Sequence, residues 1–321
     1  MFAAVCGSND LAERLRRQAP ILANDAQHHP IFDQFEPWSG QVDPGWDVNF
    51  LGSRTRVSFF SLYEHLVDFS KTRTFVGGLP IPNEDYFEWI TLLEAVAEAD
   101  GLFTMVELGA GWGKWLVNGA VAARRRRLPY RLIGVESEPT HFRWMKRHMA
   151  DNRVTRDTRW LVKAAVAADE GHVWFHVGEA ADWYGQAIAN APPDKAPGTL
   201  ARVGESLWRL IGKPEERSVR RVRAVTLESL LRDEQMVDLI DIDVQGAEAD
   251  VLEPAAEVLD EKVRRIFVGT HSRDNEERVR QLFSGLGWSC SFDFPGSGES
   301  DTPWGRIHFE DGVQAWRNPT T

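Results

Sequence analysis

The sequence has few cysteines, no long apolar run and fewer basic than acidic residues. Its two cysteines, Cys6 and Cys290, lie far apart outside any Cys-x-x-Cys pair, which argues against a zinc site or a disulfide framework. The N-terminal apolar run, residues 2–6, is too short for a signal peptide, and no later run approaches membrane-spanning length. We therefore expect a cytoplasmic protein with no membrane partner.

The charge balance also bears on the class of partner. Lys and Arg number 37 against 48 Asp and Glu, a net charge of −11, which argues against nucleic acid as a main partner. The one basic run, residues 124–127, is expected to end a helix, where cations suit the negative end of the helix dipole. With 43% hydrophobic and 26% charged residues, the composition is that of an ordinary folded protein.

From residue 104 onward, apolar strands alternate with helices. Such alternation is typical of an α/β protein whose parallel sheet is covered on both faces. The strand segments of this pattern are residues 104–108, 131–136, 160–166, 237–244 and 265–271. Residues 172–177 are predicted to form an edge strand, and residues 288–294 and 306–309 a terminal antiparallel pair.

Two regions depart from this alternation. Residues 1–100 show no regular strand pattern and are predicted to form a helical and loop N-terminal extension, with helices near residues 11–23, 58–70 and 83–99. Residues 101–321 are predicted to form a Rossmann-like domain, interrupted by a proline-rich insertion at about 178–219. We interpret the insertion as a cap or substrate loop, because long irregular insertions in compact domains are usually functional.

The strongest local motif follows the first strand of the alternating pattern. Glycines at positions 109, 111 and 113 separate that strand from a helix, so the backbone can approach a ligand and the helix start can donate N–H groups to it. A dinucleotide turn, Gly-x-Gly-x-x-Gly, would have its third glycine at position 114, which is Lys114. Glu107 suits a ligand that bears an amino group, such as S-adenosylmethionine. The motif therefore favours a methyl donor over a dinucleotide.

The second strand of the pattern ends in an acidic pair. Glu136 follows Glu107 by 29 residues, about one strand–helix–strand unit, and an acid at this strand end can accept both ribose hydroxyls of a nucleoside. The nearby Glu138 is better placed to cap the next helix. We therefore predict a ribose contact for Glu136.

Four segments together resemble the FkbM family of methyltransferases. They are VELGAGWG (106–113), GVESEP (134–139), TLESLL (226–231) and DLIDIDVQGAEADVL (238–252), and the resemblance covers residues 104–288. It implies a class I methyltransferase fold, a mostly parallel seven-stranded sheet with a terminal antiparallel strand. It also implies S-adenosylmethionine as cofactor and O-methylation of a sugar, glycan or secondary metabolite. The candidate cofactor-binding residues are Glu107, Gly109, Ala110, Gly111, Trp112, Gly113, Glu136, Ser137 and Asp243.

The candidate catalytic residues are Asp243, Glu248 and His271. In open α/β sheets ligands bind beyond the carboxyl ends of the strands, which places Asp243 and Gln245, and less directly Glu248, beside the methyl group. His271 ends the next strand and is a candidate general base for an alcohol acceptor. This chain has Gly269 where family members often carry a glutamate two residues before the histidine, and Asp243 has the alternative role of a helix cap.

Other interpretations stay open at this point. Asp241, Asp243, Glu248 and His271 could hold a divalent cation, but this is less favoured because no dedicated ligand spacing is present, and we predict no metal site. The rival functions are an NAD-dependent oxidoreductase or epimerase and a catalytically inactive methyltransferase-like binding protein. We expect a small-molecule or glycan acceptor as partner, and homo-oligomerisation is left open.

Overall fold

The computed structural model describes residues 21–22, 27–59, 68–177 and 218–321. The helices predicted near residues 11–23 and 58–70 and the insertion at 178–219 lie largely outside the described residues. Within the described parts of the chain, no helix is long and apolar enough to cross a membrane.

Short strands and one long helix make up the described part of the N-terminal region. The strands are β1 (Ile21–Leu22), β2 (Ser39–Val42), β3 (Trp46–Val48), β4 (Arg54–Arg56) and β5 (Arg73–Val76). Two 3₁₀ turns, Pro30–Gln34 and Val57–Phe59, lie between them. Helix α1 (Glu84–Glu98) begins after Asn83 with two acids in its first turn, which favour the positive end of the helix dipole. It confirms the helix predicted for residues 83–99.

Strands and helices alternate after α1. In chain order they are β6 (Phe103–Leu108), α2 (Lys114–Arg125), β7 (Tyr130–Val135), α3 (Pro139–Asp151), β8 (Arg159–Val162), β9 (Ala165–Val166), β10 (Gly171–Val177), β11 (Ser218–Val225), α4 (Leu227–Leu231), β12 (Leu239–Ile242), α5 (Glu248–Leu252), α6 (Ala256–Lys262), β13 (Arg265–Thr270), α7 (Arg273–Gly285), β14 (Ser289–Phe294), β15 (Gly298–Thr302), β16 (Gly305–Phe309) and β17 (Gly312–Arg317). The basic run ends α2 as predicted.

Seven of these strands form the main sheet, in the order β14-β17-β13-β12-β6-β7-β8. Strands β8, β7, β6, β12 and β13 run parallel to one another, and β17 runs antiparallel to both β13 and β14. All six residues of β6 and all four of β12 are buried, as expected for central strands covered on both faces. The sheet confirms the predicted class I methyltransferase fold.

The predicted pairing of the last strands is wrong. Residues 289–294 pair with β17, a strand that the sequence analysis did not identify, whereas β16 pairs with β15 and β1 in a separate sheet. The buried positions of β17 include the polar Gln314, whose amide donates a hydrogen bond to the Glu276 carbonyl. The polar Gln314 interrupts the run of apolar residues from which β17 could have been predicted.

Two apolar cores lie on the opposite faces of the main sheet. One contains residues of α1, α2 and β6 together with residues of β16 and β17, such as Phe309 and Val313. The other packs β6, β12 and β13 against the helices α4 to α7. Residues before and after position 100 both contribute to the first core. The predicted division into an N-terminal extension and a Rossmann-like domain therefore stays a prediction.

Candidate functional site

The glycine turn between β6 and α2 has a backbone that only glycine adopts readily. Gly109, Gly111 and Gly113 have φ angles of +77°, +52° and +71°. A Cβ atom on Gly109 would lie 1.8 Å from the carbonyl oxygen of Asp243, so the turn also passes against the end of β12. The turn therefore tolerates no side chain at position 109.

Glu136 lies directly beside this turn. Its Oε2 accepts a hydrogen bond from the Gly111 N–H at 2.8 Å, and its Oε1 accepts one from the Glu138 N–H at 2.6 Å. Burial raises the pKa of Glu136 to about 7. Glu138 caps α3, because its carboxylate accepts a hydrogen bond from the His141 N–H, as predicted.

A cleft of about 850 Å³, part of it open solvent, lies over the carboxyl ends of β6, β7 and β12. One end has apolar walls, and the other carries polar side chains. The lining residues are Gly109, Gly111, Val135, Glu136, Ser137, His141, Ala164, Ala165, Val166, Phe175, Asp243, Val244, Gln245 and Asp311.

The chemistry of this lining fits S-adenosylmethionine. The apolar end, with Phe175 and Ala164 to Val166, suits a flat adenine ring. Glu136 lies at the cleft wall, and each oxygen of its carboxylate keeps a lone pair beyond the backbone hydrogen bond that it accepts, so it can also accept ribose hydroxyls. Gly109 and Gly111 line the same cleft.

Glu107 occupies a different environment. Its carboxylate accepts hydrogen bonds from the backbone N–H groups of Trp115 and Leu116, at 3.4 and 3.0 Å, and so caps the start of α2. It is buried and is not among the described residues that line the cleft, and the same is true of Ala110. The contact of Glu107 with a ligand amino group stays a prediction.

Trp112 and Gly113 lie in the glycine turn but do not line the cleft either. The carbonyl oxygen of Trp112 is 3.0 Å from Nδ1 of the buried His148, which ties the turn to α3. Burial is the main cause that lowers the pKa of His148 to about 4, so its ring is neutral at physiological pH. The contact with His148 therefore holds the Trp112 carbonyl group of the glycine turn in place.

A network of acidic side chains lies beneath the turn, on the α1 side of the sheet. Asp241 is the register partner of Glu107 across β12 and β6, and it is hydrogen-bonded to Glu88 of α1. Burial raises the pKa of Asp241 to about 7, and burial together with Asp241 raises the pKa of Glu107 well above its ordinary value. Lys114 forms an ion pair with Asp85 at 2.6 Å beside this network.

His271 and the predicted acids do meet in the structure. His271 Nδ1 is 2.7 Å from Oε1 of Glu248, and Nε2 is 3.4 Å from Oδ1 of Asp243. Glu248 is fully buried, and its second oxygen accepts a hydrogen bond from Asn275 Nδ2 at 2.7 Å. Asp243 lines the cleft with a 60% exposed side chain. The fold thus connects the cleft to His271 through Asp243.

The surroundings of His271 favour its charged form. Burial by itself would lower the pKa of His271, but the hydrogen bond to Glu248 and the charges of Asp243, Glu248 and Asp311 raise it to about 9. Asp311, whose carboxylate is 3.8 Å from His271 Nε2, lines the cleft and was not identified from the sequence. It lies in the turn before β17, where no local pattern distinguishes it from a surface acid.

The remaining candidates in this region are placed as follows. Ser137 lines the cleft beside Glu136, as predicted for a cofactor contact, and its contact with the cofactor stays a prediction. Within the described residues, no group of three or more His, Cys, Asp or Glu is arranged to hold a metal ion.

The chain is similar in sequence to known methyltransferases. The family model of the methyltransferase FkbM domain matches residues 119–294. A protein of Jannaschia sp. (strain CCS1) with the name "Putative methyltransferase" is 29% identical over 292 residues, which cover 89% of this chain and 97% of that protein. The chain is thus similar to this relative over nearly its whole length.

Solved structures show a more distant likeness. Methyltransferase FkbM from Methylobacillus flagellatus KT aligns with a TM-score of 0.41 and 10% identity, over 68% of this chain and 45% of that chain. The N-terminal domain of human METTL16 in complex with SAH aligns with a TM-score of 0.38 and 12% identity, over 90% of each chain. The family model, however, matches more than half of the 321 residues, and the chain therefore belongs to the methyltransferase FkbM domain family.

Proposed function

We propose that this protein is an S-adenosylmethionine-dependent O-methyltransferase that acts on a hydroxyl group of a sugar, a glycan or a secondary metabolite. The observation that carries the proposal is the cleft in which Glu136 faces the glycine turn at one end and Asp243 leads to His271 at the other. This arrangement separates a nucleoside-binding end from an end with groups that can handle a proton.

The cofactor-binding end is built from backbone and one acid. Glu136 would accept the ribose hydroxyls, Phe175 would contact the adenine, and the backbone of Gly109 and Gly111 would lie against the methionyl part. When bound, S-adenosylmethionine supplies a methyl group that is already activated by its sulfonium. The main task of the chain is then to align the acceptor oxygen with that methyl group.

The acceptor end would remove a proton from the hydroxyl. His271 Nε2 points towards the cleft-lining residues Asp243 and Gln245, while the buried Glu248 holds Nδ1 on the opposite side of the ring. A neutral His271 can accept the acceptor proton at Nε2, and the imidazolium that results is stabilised by the neighbouring carboxylates. Asp243 would orient the acceptor beside the methyl group.

Binding measurements test the cofactor assignment. Calorimetry on the full chain is expected to show binding of S-adenosylhomocysteine and no binding of NADH. Binding of NADH instead would favour the oxidoreductase alternative and overturn the proposal.

A methyl-transfer assay tests the reaction class. Radiolabelled S-adenosylmethionine is offered with a panel of glycans, hydroxylated metabolites, amines and RNA. Transfer to a hydroxyl compound is expected, and His271→Asn should lower turnover while S-adenosylhomocysteine affinity is kept. Cofactor binding without transfer to any acceptor would support the inactive binding protein, and transfer only to amines or RNA would contradict the proposed acceptor class.

A further inference from the structure

Gln245 occupies an unusual position at the acceptor end of the cleft. It follows β12, lines the cleft and has a φ angle of +54°, a left-handed conformation that L residues other than glycine adopt only at a cost. A side chain placed on a strained backbone is a sign that its position matters, and glycine would meet the backbone requirement at lower cost. The hydrogen bonds of the Gln245 amide indicate its role at this position.

The amide of Gln245 bridges two of the proposed catalytic groups. Its Nε2 is 2.8 Å from Oδ1 of Asp243 and also 2.8 Å from Nε2 of His271. An amide nitrogen carries two hydrogens and has no acceptor capacity. Both hydrogens are therefore used, one for the carboxylate and one for the ring.

This arrangement suits the neutral form of His271 that carries its proton on Nδ1. A ring nitrogen that accepts a hydrogen bond from an amide N–H bears no proton. In this arrangement Nε2 presents a lone pair to the amide, and the ring proton lies on Nδ1. Nδ1 is the atom that faces Glu248, which is fully buried and can only accept when ionised. The hydrogen-bond pattern on both sides of the ring thus matches neutral His271.

The charges around the ring act in the opposite direction. Carboxylates face His271 from three elements: Glu248 from α5, Asp243 from the segment after β12, and Asp311 from the turn before β17. Each of them favours the imidazolium. A protonated ring cannot accept a further proton, so a base in this environment needs a group that offsets the carboxylates.

We propose that Gln245 is a positioning residue that favours the neutral form of His271 against these carboxylates and directs Nε2 at the cleft, by donating one amide hydrogen to that nitrogen and the other to Asp243. The proposal rests on the proposed function in one respect only, namely that His271 accepts the proton of the acceptor. An acceptor hydroxyl would take the place of the Gln245 amide at Nε2 and would be met by a lone pair.

The test is the titration of His271 in variants of Gln245. Gln245→Leu removes both amide hydrogens at similar size, and Gln245→Gly removes them while matching the positive φ angle, which keeps the test valid if the leucine variant does not fold. The matched control is Gln281→Leu, because the exposed Gln281 makes the same kind of amide-to-carboxylate contact, with Glu277 at 2.8 Å, and does not line the cleft.

The first readout is NMR of ¹³C-labelled histidine, with the His271 signal assigned by its loss in His271→Asn. Both Gln245 variants are expected to raise the pKa of His271 above that of the wild type, and Gln281→Leu to leave it unchanged. An unchanged or lowered pKa of His271 in a folded Gln245 variant overturns the proposal. This readout needs no acceptor, so it can be judged even if the proposed O-methylation fails.

The second readout is the pH profile of methyl transfer with an acceptor found in the panel above. A rise of one unit in the pKa of His271 lowers turnover at pH 7 by about tenfold, and activity returns at high pH because the base is then unprotonated. A loss of activity that is the same at every pH would show only a structural role for Gln245 and would also overturn the proposal. Affinity for S-adenosylhomocysteine should stay as in the wild type.

Discussion

At the scale of single residues, Glu136 is held by the fold at the position where we propose a ligand contact. Its carboxylate is tied to the glycine turn by the Gly111 N–H and to α3 by the Glu138 N–H. These hydrogen bonds fix its orientation at the cleft, and burial keeps its pKa near 7, so its charge depends on pH in the physiological range. Ligand affinity should depend on that charge.

We expect Glu136→Ala to lower the affinity for S-adenosylhomocysteine by about tenfold or more, because one charge-assisted hydrogen bond contributes about 1.5–3 kcal/mol. In the wild type, affinity should rise as the pH increases through about 7, where the carboxyl group ionises. Calorimetry between pH 6 and 8 measures both effects. Glu138→Ala is the matched control, since it removes a neighbouring buried acid that caps α3 and should leave affinity unchanged at pH 8, where Glu136 is mostly ionised with or without the Glu138 charge.

At the scale of secondary structure elements, the turn between β6 and α2 is where the cleft is built. It must pass the end of β12 without a side chain at position 109, and it is also tied to α3 through His148. Each of these contacts restricts the backbone conformation of the turn. A change that displaces it should affect stability and binding together.

Gly109→Ala tests this restriction, and Gly101→Ala is its control. Both glycines have a φ angle of +77°, but an added Cβ at Gly101 would meet no atom within 4 Å. The control should lose about 1 kcal/mol of the free energy of unfolding, from the left-handed backbone alone. Gly109→Ala should lose at least about 3 kcal/mol and most of its affinity for S-adenosylhomocysteine, because β12 or the turn must move. Equal losses in denaturant titrations of the two variants would contradict this account.

At the scale of the whole molecule, buried acids make stability depend on pH. Burial raises the pKa of Glu84, Glu136 and Asp241 to about 7, and the carboxylates around His271 raise its pKa to about 9 in spite of burial. In each case the folded state binds protons more tightly than the unfolded state. The stability that these protons contribute is therefore lost as the pH rises through the folded-state pKa values.

We expect the free energy of unfolding to fall as the pH increases from about 6.5 to about 9. The pKa of His148 is lowered to about 4, so its effect on the free energy of unfolding has the opposite sign. That effect is confined to pH values between about 4 and the ordinary pKa of histidine, and it does not offset the loss of stability above pH 6.5. Asp241→Asn should flatten this dependence and stabilise the protein at pH 8 by an amount on the order of 1 kcal/mol, since a buried charge is removed. The exposed Asp43→Asn is the control. Urea titrations that show greater stability at pH 9 than at pH 6.5 would contradict the prediction.

Much of the fold and part of the site follow from signals that lie close together in the chain. Apolar periodicity marks β6, β7, β12 and β13, because a buried parallel strand needs an uninterrupted apolar run. The glycine turn and Glu136 are likewise visible, since a ligand loop and the acid after the next strand are separated by one strand–helix–strand unit. The family resemblance rests on the same short segments.

Other features depend on register between segments that are distant in sequence. Glu107 faces Asp241 because β6 and β12 pair in one register, and this pairing, with α2 above it, assigns Glu107 to a helix cap. Asp311 and Gln245 reach His271 only once β13 and β17 are adjacent and the chain turns after β12. No local pattern encodes such distances, because they are set by packing of the two cores. Residues adjacent in the chain thus reveal the glycine turn, whereas the electrostatic surroundings of His271 arise from side chains that only folding brings together.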